Sequence, residues 1–184
     1  MRLAALDIGS NTVHILVADV VRGKLEDVAH FVEMPELGPQ VAKRGAIGSR
    51  GRVALRALRK VVAEARTQGY DHLIVSATEA VRQARDGAAF VKQASEVVGA
   101  PVRIISGRKE AQLSFIGAAS RHAIRREWAL VDMGGASTEI VIAEGHRMLR
   151  STSLPIGSGV LAAKLLVIVD RQPALLTKKI CKAT

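Results

Sequence analysis

The stretch Leu130-Val-Asp-Met-Gly-Gly-Ala-Ser-Thr-Glu-Ile-Val-Ile142 decides the fold of this chain. Its apolar start ends at Asp132, small residues fill positions 134–138, and an apolar run follows. This order predicts a strand, a tight turn and a returning strand. Glycines let backbone N–H groups approach a ligand, and Ser137 and Thr138 add hydroxyl donors. The segment is therefore either a phosphate-binding loop or an ordinary β-hairpin turn.

A second segment, Leu6-Asp-Ile-Gly-Ser-Asn-Thr-Val-His-Ile-Leu-Val-Ala-Asp19, has the same order of residue types. Asp7 and Asp132 are 125 positions apart (132 − 7), and the same offset aligns Gly9 with Gly134. Two copies at a domain-sized spacing predict two related half-domains rather than a solenoid of short repeats. We expect the two loops to face each other across a cleft and to clamp phosphate groups between them.

The composition limits the class of protein. The chain has 184 residues, of which 48% are apolar, so it is long enough to bury a hydrophobic core. No apolar run reaches the ~18 residues of a membrane span, and the N-terminus has no cleavable apolar segment. Cys181 is the single cysteine, which excludes an internal disulfide and a zinc site built from cysteines. We expect a cytoplasmic protein without a membrane partner.

The charge favours an anionic partner. The chain carries 27 basic and 17 acidic side chains, a net charge of +10, which suits nucleic acid, polyphosphate or a nucleotide. A basic surface that serves only solubility is the alternative. Trp128 and Tyr70 are the only residues of their kinds, so the aromatic platforms that stack bases are nearly absent. This absence favours phosphate chains and argues against specific nucleic-acid binding.

Strand and helix patterns alternate along the chain, which predicts an α/β fold. A third strand at 24–32 follows the first hairpin, and the Pro- and Gly-punctuated segment 34–50 reads as a loop over the cleft. Further predicted elements are a helix from Ser49 to near Gly69, a strand at 72–76, helices at 78–85 and 88–98, a strand at 102–105, a helix from Ser106 to about Ala119 and a strand at 147–153.

Glu110 is the candidate general base. Ser106 at the N-cap places it in the first turn of a helix that follows a strand, where the helix dipole favours the ionised carboxylate. An ionised carboxylate just beyond a strand end suits activation of a water molecule. A plain first-turn glutamate without a catalytic role is the alternative.

Three further side chains are candidates for the same chemistry. Arg82 lies one helical turn beyond a strand end, where its planar guanidinium suits phosphate, although solvated helix arginines are common. Asp7 and Asp132 each end a strand, so the pair is a candidate for holding a metal that an incoming phosphate also touches. Acids before turns are common too, which leaves a purely structural role open.

Four segments occur together in one order: Asp7-Ile-Gly-Ser-Asn-Thr12, Ser76-Ala-Thr-Glu-Ala-Val-Arg82, Ile105-Ser-Gly-Arg-Lys-Glu-Ala111 and Val131-Asp-Met-Gly-Gly-Ala-Ser-Thr-Glu139. In order and spacing they resemble the exopolyphosphatase / guanosine pentaphosphate phosphohydrolase (Ppx/GppA) family. The segment Ser153-Leu-Pro-Ile-Gly157 is similar to the one that follows the second hairpin in that family. The resemblance runs from Met1 to about Leu161.

The resemblance implies ribonuclease-H-like lobes of the actin-like ATPase superfamily, with phosphate and Mg²⁺ between them. It implies a complete first lobe at residues 1–125 and a partial second lobe at 126–184. The implied catalytic residues are Glu110 and Glu139, and Asp132 and Glu139 match acids near the magnesium and the attacking water. The implied phosphate-binding residues are Gly9, Ser10, Asn11, Arg82, Gly134, Gly135 and Ser137.

The sequence departs from the family pattern at three places. Lys109 stands where the family usually has a glutamate beside the catalytic one, and Ala136 replaces the third glycine of the second loop. After Leu161 the residues at 162–173 no longer follow the family, so the end of the chain reads as truncated or as altered in reading frame. A partial second lobe would expose apolar surface and favour association, with a homodimer as the expected form.

We therefore predict an exopolyphosphatase-like enzyme that uses Mg²⁺ and water to release terminal phosphate from inorganic polyphosphate or guanosine pentaphosphate. Catalysis of this kind depends on positioning and charge neutralisation. A non-catalytic protein that binds polyphosphate or an alarmone nucleotide is one alternative. A superfamily kinase is another, although it would need an adenosine pocket in the second lobe.

Overall fold

The computed structural model describes residues 1–121 and 126–162, which form two β-sheets with helices packed against them. The first sheet contains β1 (Arg2–Ile8), β2 (Val13–Val21), β3 (Lys24–Glu33), β4 (His72–Ala77) and β5 (Val102–Ile104) in the order β3-β2-β1-β4-β5. The helices are α1 (Leu37–Arg44), α2 (Arg50–Thr67), α3 (Glu79–Gln83), α4 (Gly87–Val98) and α5 (Gly107–Arg121). Because β1 is antiparallel to β2 and parallel to β4, the sheet has the predicted ribonuclease-H-like arrangement.

The first sheet buries one face in the main core. Leu6 and Ile8 of β1 are buried in one cluster with Leu58 and Val61 of α2. Since successive side chains of a strand point to opposite faces, Asp7 lies on the face away from this core. The alternation of β1 therefore places a carboxylate at the strand end, next to the loop that follows.

The second sheet contains β6 (Glu127–Met133), β7 (Thr138–Glu144) and β8 (Arg147–Leu154), all antiparallel in the order β6-β7-β8. Phe115 of α5 packs with Val141 and Ala143 of β7, and its ring stacks on Trp128. Helix α5, which lies within the predicted first lobe, thus packs against the second sheet. The boundary between residues 125 and 126 stays a prediction.

The internal repeat holds at the level of register. Asp7 pairs with His14 across the first hairpin, and Asp132 pairs with Glu139 across the second, at the same offset of 125 (132 − 7 and 139 − 14). Each returning strand has an irregularity after an equivalent residue, Val17 in β2 and Ile142 in β7. The two hairpins thus share their register and the position of a β-bulge, as two related units would.

The prediction of a loop over residues 34–50 is wrong, because α1 occupies much of this segment. Leu37 and Val41, four positions apart, are buried and give the helix an apolar face. Pro39 falls in the first turn, where its missing N–H costs no helical hydrogen bond. Gly38 donates its backbone N–H to Ser10 O at 2.6 Å, which places the start of α1 against the first loop.

The described part of the second sheet leaves apolar surface uncovered. Leu6 and Val17 are 2% and 0% exposed, whereas their equivalents Val131 and Ile142 are 60% and 40% exposed. Within the described residues, this face of the second sheet is therefore more exposed than the equivalent face of the first. Cys181 and residues 163–173, discussed above, lie outside the described residues. Within the described ranges, no helix is long and apolar enough to cross a membrane.

Candidate active site

The two glycine loops are closed by equivalent backbone hydrogen bonds. Gly9 donates its N–H to Thr12 O at 2.9 Å, and Gly134 donates its N–H to Ser137 O at 2.9 Å. The loops also touch each other, because a Cβ added to Gly135 would lie 2.7 Å from Asn11 Cγ. The predicted pair of facing loops is therefore present, and their closeness depends on a glycine.

A cavity of about 360 Å³ lies between the loops. All the predicted site residues except Arg82 line it: Asp7, Gly9, Ser10, Asn11, Glu110, Asp132, Gly134, Gly135, Ser137 and Glu139. These residues come from β1, α5, the second hairpin and the two loops, so distant parts of the sequence converge on one place. The roles assigned to them stay predictions.

Glu110 lies in the first turn of α5, and Ser106 Oγ accepts a hydrogen bond from Lys109 N at 3.2 Å as the predicted cap. Burial raises the pKa of Glu110 to about 7, with Glu139 and Asp7 adding to the rise and Arg82 opposing it. The expectation that the helix dipole keeps this carboxylate readily ionised is wrong, since desolvation and neighbouring acids have the larger effect. A pKa near neutrality suits a general base.

Arg82 lies beside Glu110, outside the cavity. Its Nη1 and Nη2 atoms are each 3.4 Å from Glu110 Oε2. The guanidinium also donates to the backbone oxygen of Ile105 and pairs with Glu79, which is buried. Arg82 thus contacts the candidate base, and its role as a phosphate ligand stays a prediction.

Serine hydroxyls fix the other three acids. Ser76 Oγ donates to Asp7 at 3.2 Å, and Ser114 Oγ donates to Asp132 at 2.5 Å. Ser153 Oγ donates to Glu139 at 2.7 Å, and Glu139 is only 2% exposed. Of these serines, Ser114 had a usable sequence signal, because it follows Glu110 by four positions and so shares its helix face.

The donor set fits magnesium. Burial, and to a lesser degree Asp132, raises the pKa of Asp7 to about 6. The ionised carboxylate is therefore disfavoured, and a bound cation would stabilise it. Mg²⁺ prefers oxygen ligands and often uses one or two carboxylates together with water and phosphate oxygens. Among the described residues, no three His, Cys, Asp or Glu side chains form a closed metal site. Asp7 and Asp132 are the described carboxylates that could hold such an ion beside the loops.

Two threonines of the cavity wall were not predicted as site residues from the sequence. Thr78 lines the cavity and donates its backbone N–H to Ile8 O at 3.1 Å, so it stands beside the first loop. Its position directly after a strand could have indicated it, because β4 runs parallel to β1 and the carboxyl ends of parallel strands meet at one edge of the sheet. Thr12 also lines the cavity and closes the first loop through its carbonyl oxygen.

Comparison with known proteins gives the family of the chain. The family model described as the Ppx/GppA phosphatase family matches residues 16–179. Guanosine-5'-triphosphate,3'-diphosphate pyrophosphatase of Vibrio vulnificus is 30% identical over 156 residues, which are 84% of this chain and 31% of that protein. The chain thus spans about a third of the length of this curated relative.

Solved structures show the same fold. The Aquifex aeolicus member of the Ppx/GppA protein family is 29% identical, with a TM-score of 0.75 over 85% of this chain and 52% of that chain. An exopolyphosphatase from Cytophaga hutchinsonii has a TM-score of 0.83 at 24% identity, over 99% of this chain and 64% of that one. On the family match and the Vibrio relative together, the chain belongs to the Ppx/GppA phosphatase family.

Proposed function

We propose that the chain is an exopolyphosphatase-like phosphohydrolase, which releases the terminal phosphate of inorganic polyphosphate or guanosine pentaphosphate. One observation carries the proposal: Glu110, with its raised pKa, shares a cavity with two matching glycine loops. The loops suit a phosphate, and the acid suits the activation of water. Membership of a phosphatase family and the name of the Vibrio relative support the same reaction class.

The proposed reaction is a single displacement. The Glu110 carboxylate accepts a proton from a water molecule while the water oxygen forms a bond to the terminal phosphorus. The bridging P–O bond breaks, and its electron pair leaves with the shortened chain. Backbone N–H groups of residues 10–11 and 135–137 hold the phosphate oxygens, and Glu139 orients the water. Magnesium, when held by Asp7 and Asp132, supplies neutralisation of the phosphate charge.

Phosphate release from polyphosphate in the presence of magnesium tests the proposal. Release that requires Glu110 is the expected result. Tight, salt-sensitive binding of polyphosphate without release would instead indicate a non-catalytic binding protein. Transfer of phosphate from ATP to an acceptor would indicate a kinase.

The rate should depend on pH through Glu110. Because a general base acts in its ionised form, kcat/KM is expected to rise with pH and to level off above about 7, the pKa of this group. At pH 5 we expect about one hundredth of the plateau value, since the ionised fraction falls tenfold for each step below the pKa. A pH–rate profile from 5 to 9 measures this. A profile that is flat between pH 5 and 8 would contradict the assignment.

Arg82→Met should move that profile to higher pH. Arg82 is the neighbour that lowers the pKa of Glu110, so its removal raises the pKa further. We expect about a tenfold loss of kcat/KM at pH 6 and a smaller loss at pH 9, where Glu110 is ionised in both proteins. Lys109→Met is the matched control, because the Lys109 ammonium bonds to Gln112 instead of Glu110. Equal loss at both pH values would show that Arg82 has no effect on this titration.

A further inference from the structure

Helix α5 connects the candidate general base to the second sheet. Its first turn carries Glu110, which lines the cavity between the loops. Its middle packs on the second sheet through Phe115, which lies in one buried cluster with Val141. Ser114 is half-buried and lies between these two regions, one helical turn beyond Glu110 and outside the cavity lining. A contact made by Ser114 therefore links the second sheet to the helix that carries the candidate base.

Ser114 contacts Asp132, near the end of β6. Its Oγ donates to Asp132 Oδ2 at 2.5 Å, a length typical of a hydroxyl group bound to a carboxylate anion. Asp132 is exposed and lines the cavity, and this is the only side-chain hydrogen bond that it makes with residues 1–121 and 126–162. Since an exposed aspartate can adopt several rotamers, this one bond selects the orientation of its carboxylate.

The first hairpin has the same arrangement with a different donor. Asp7, the equivalent of Asp132, accepts a hydrogen bond from Ser76 Oγ at 3.2 Å. Ser76 lies on β4, directly beside Asp7 in the register of the sheet. In the part of the chain that the structure describes, the second sheet has no strand on this side of β6. The hydroxyl group that supports the second aspartate comes instead from α5.

The segments that carry the family resemblance do not include Ser114, because they end at Ala111 and resume at Val131. We propose that Ser114 is a positioning residue, which holds the Asp132 carboxylate in one orientation so that it binds a divalent cation beside the loops. The inference rests on the proposed function for the role of Asp132 as a cation ligand. Hydrogen-bond partners of metal ligands orient those ligands, and their loss weakens metal binding roughly 10–100-fold.

Cation binding to the whole 184-residue chain without substrate tests the proposal. Mn²⁺ is the probe, because it prefers the same oxygen ligands as Mg²⁺ and its spin-resonance signal reports binding directly. We expect Ser114→Ala to bind Mn²⁺ about tenfold more weakly than the wild type. Ser114→Thr keeps the hydroxyl group and should restore most of the affinity. Asp132→Asn should weaken binding at least as much as Ser114→Ala, which identifies the site that is titrated.

Ser120→Ala is the matched control. Ser120 is an exposed residue of the same helix, and its Oγ donates to Gly117 O at 2.8 Å, so the change also removes one serine hydrogen bond. Its Mn²⁺ affinity should equal that of the wild type. Without cation, thermal unfolding of the two alanine variants should be similar. In the phosphate-release assay, Ser114→Ala should raise the Mg²⁺ concentration for half-maximal rate about tenfold and keep the rate at saturating Mg²⁺ close to wild type.

Four results would overturn the proposal. Wild-type Mn²⁺ affinity in Ser114→Ala would reject the role of Ser114 alone, provided that Asp132→Asn still weakens binding. Wild-type affinity in Asp132→Asn, or no binding by the wild type, would reject Asp132 as a ligand as well. A rate loss in Ser114→Ala that excess Mg²⁺ leaves unchanged would make Ser114 a packing residue. Absence of phosphate release together with the expected order of Mn²⁺ affinities would reject the hydrolase function and support the role of Ser114.

Discussion

Replacing Glu110 with glutamine is expected to lower phosphate release from polyphosphate by roughly 10²–10⁴-fold, the usual contribution of a general base. The amide keeps the size of the side chain and cannot accept the proton of water. Binding of polyphosphate should be retained or strengthened, because the substitution removes a negative charge that faces the cavity. Release assays with magnesium, paired with a binding measurement, separate loss of chemistry from loss of substrate.

Stability gives the same variant an independent readout. The pKa of Glu110 is raised from 4.5 to about 7 in the folded protein. The folded state therefore loses stability as the pH rises from 4.5 to about 7, because ionisation of Glu110 is less favourable there than in the unfolded chain. Glu110→Gln removes this cost, and we expect a higher Tm than wild type at pH 8 and a similar Tm at pH 4.5. Glu96→Gln, at an exposed position on α4, is the control for both readouts. Unchanged release in Glu110→Gln would reject the general-base assignment.

The repeated hairpin was predictable because its signal is local. Alternation of apolar residues, an acid at the strand end and small residues in the turn determine the register of a hairpin within about twenty residues. The same order of residue types recurs 125 positions later (132 − 7), which predicts that Asp7 and Asp132 occupy equivalent positions in their hairpins. The structure shows equivalent turn hydrogen bonds at Gly9 and Gly134, as this repeated order of residues would lead one to expect.

Properties that depend on contacts between residues far apart in the sequence were harder to predict. The pKa of Glu110 is decided by burial and by Glu139, and neither is visible in the helix that carries Glu110. The partners of Arg82 come from α3, α5 and the residue after β5, so its contacts with Glu79 and Glu110 could not be read from its own segment. Helix α1 was missed because Gly38 and Pro39 are breakers in general, but both are tolerated in a first turn.

A second large effect is expected at Gly157, which follows β8 and carries no candidate chemistry. A Cβ at this position would lie 2.4 Å from Ala136 N and 2.5 Å from Gly135 C, both backbone atoms of the second loop. The adjacent Ser158 and Gly159 donate their N–H groups to Gly134 O and Gly135 O at 2.9 Å, which holds the same loop in place. Side-chain adjustment cannot relieve a clash with backbone, so the loop itself must move.

Gly157→Ala should therefore displace residues 134–136 from the position opposite the first loop. We expect a loss of about 1–3 kcal/mol in the free energy of unfolding, as for other overpacked sites, and a loss of triphosphate affinity of about tenfold or more. Thermal unfolding and titration with triphosphate measure the two effects. Gly117→Ala is the matched control, because an added Cβ there meets no atom within 4 Å. Since Gly117 lies inside α5, that change should stabilise the helix by up to about 1 kcal/mol and leave binding intact. Wild-type affinity in Gly157→Ala would show that the second loop does not need its observed position to bind phosphate.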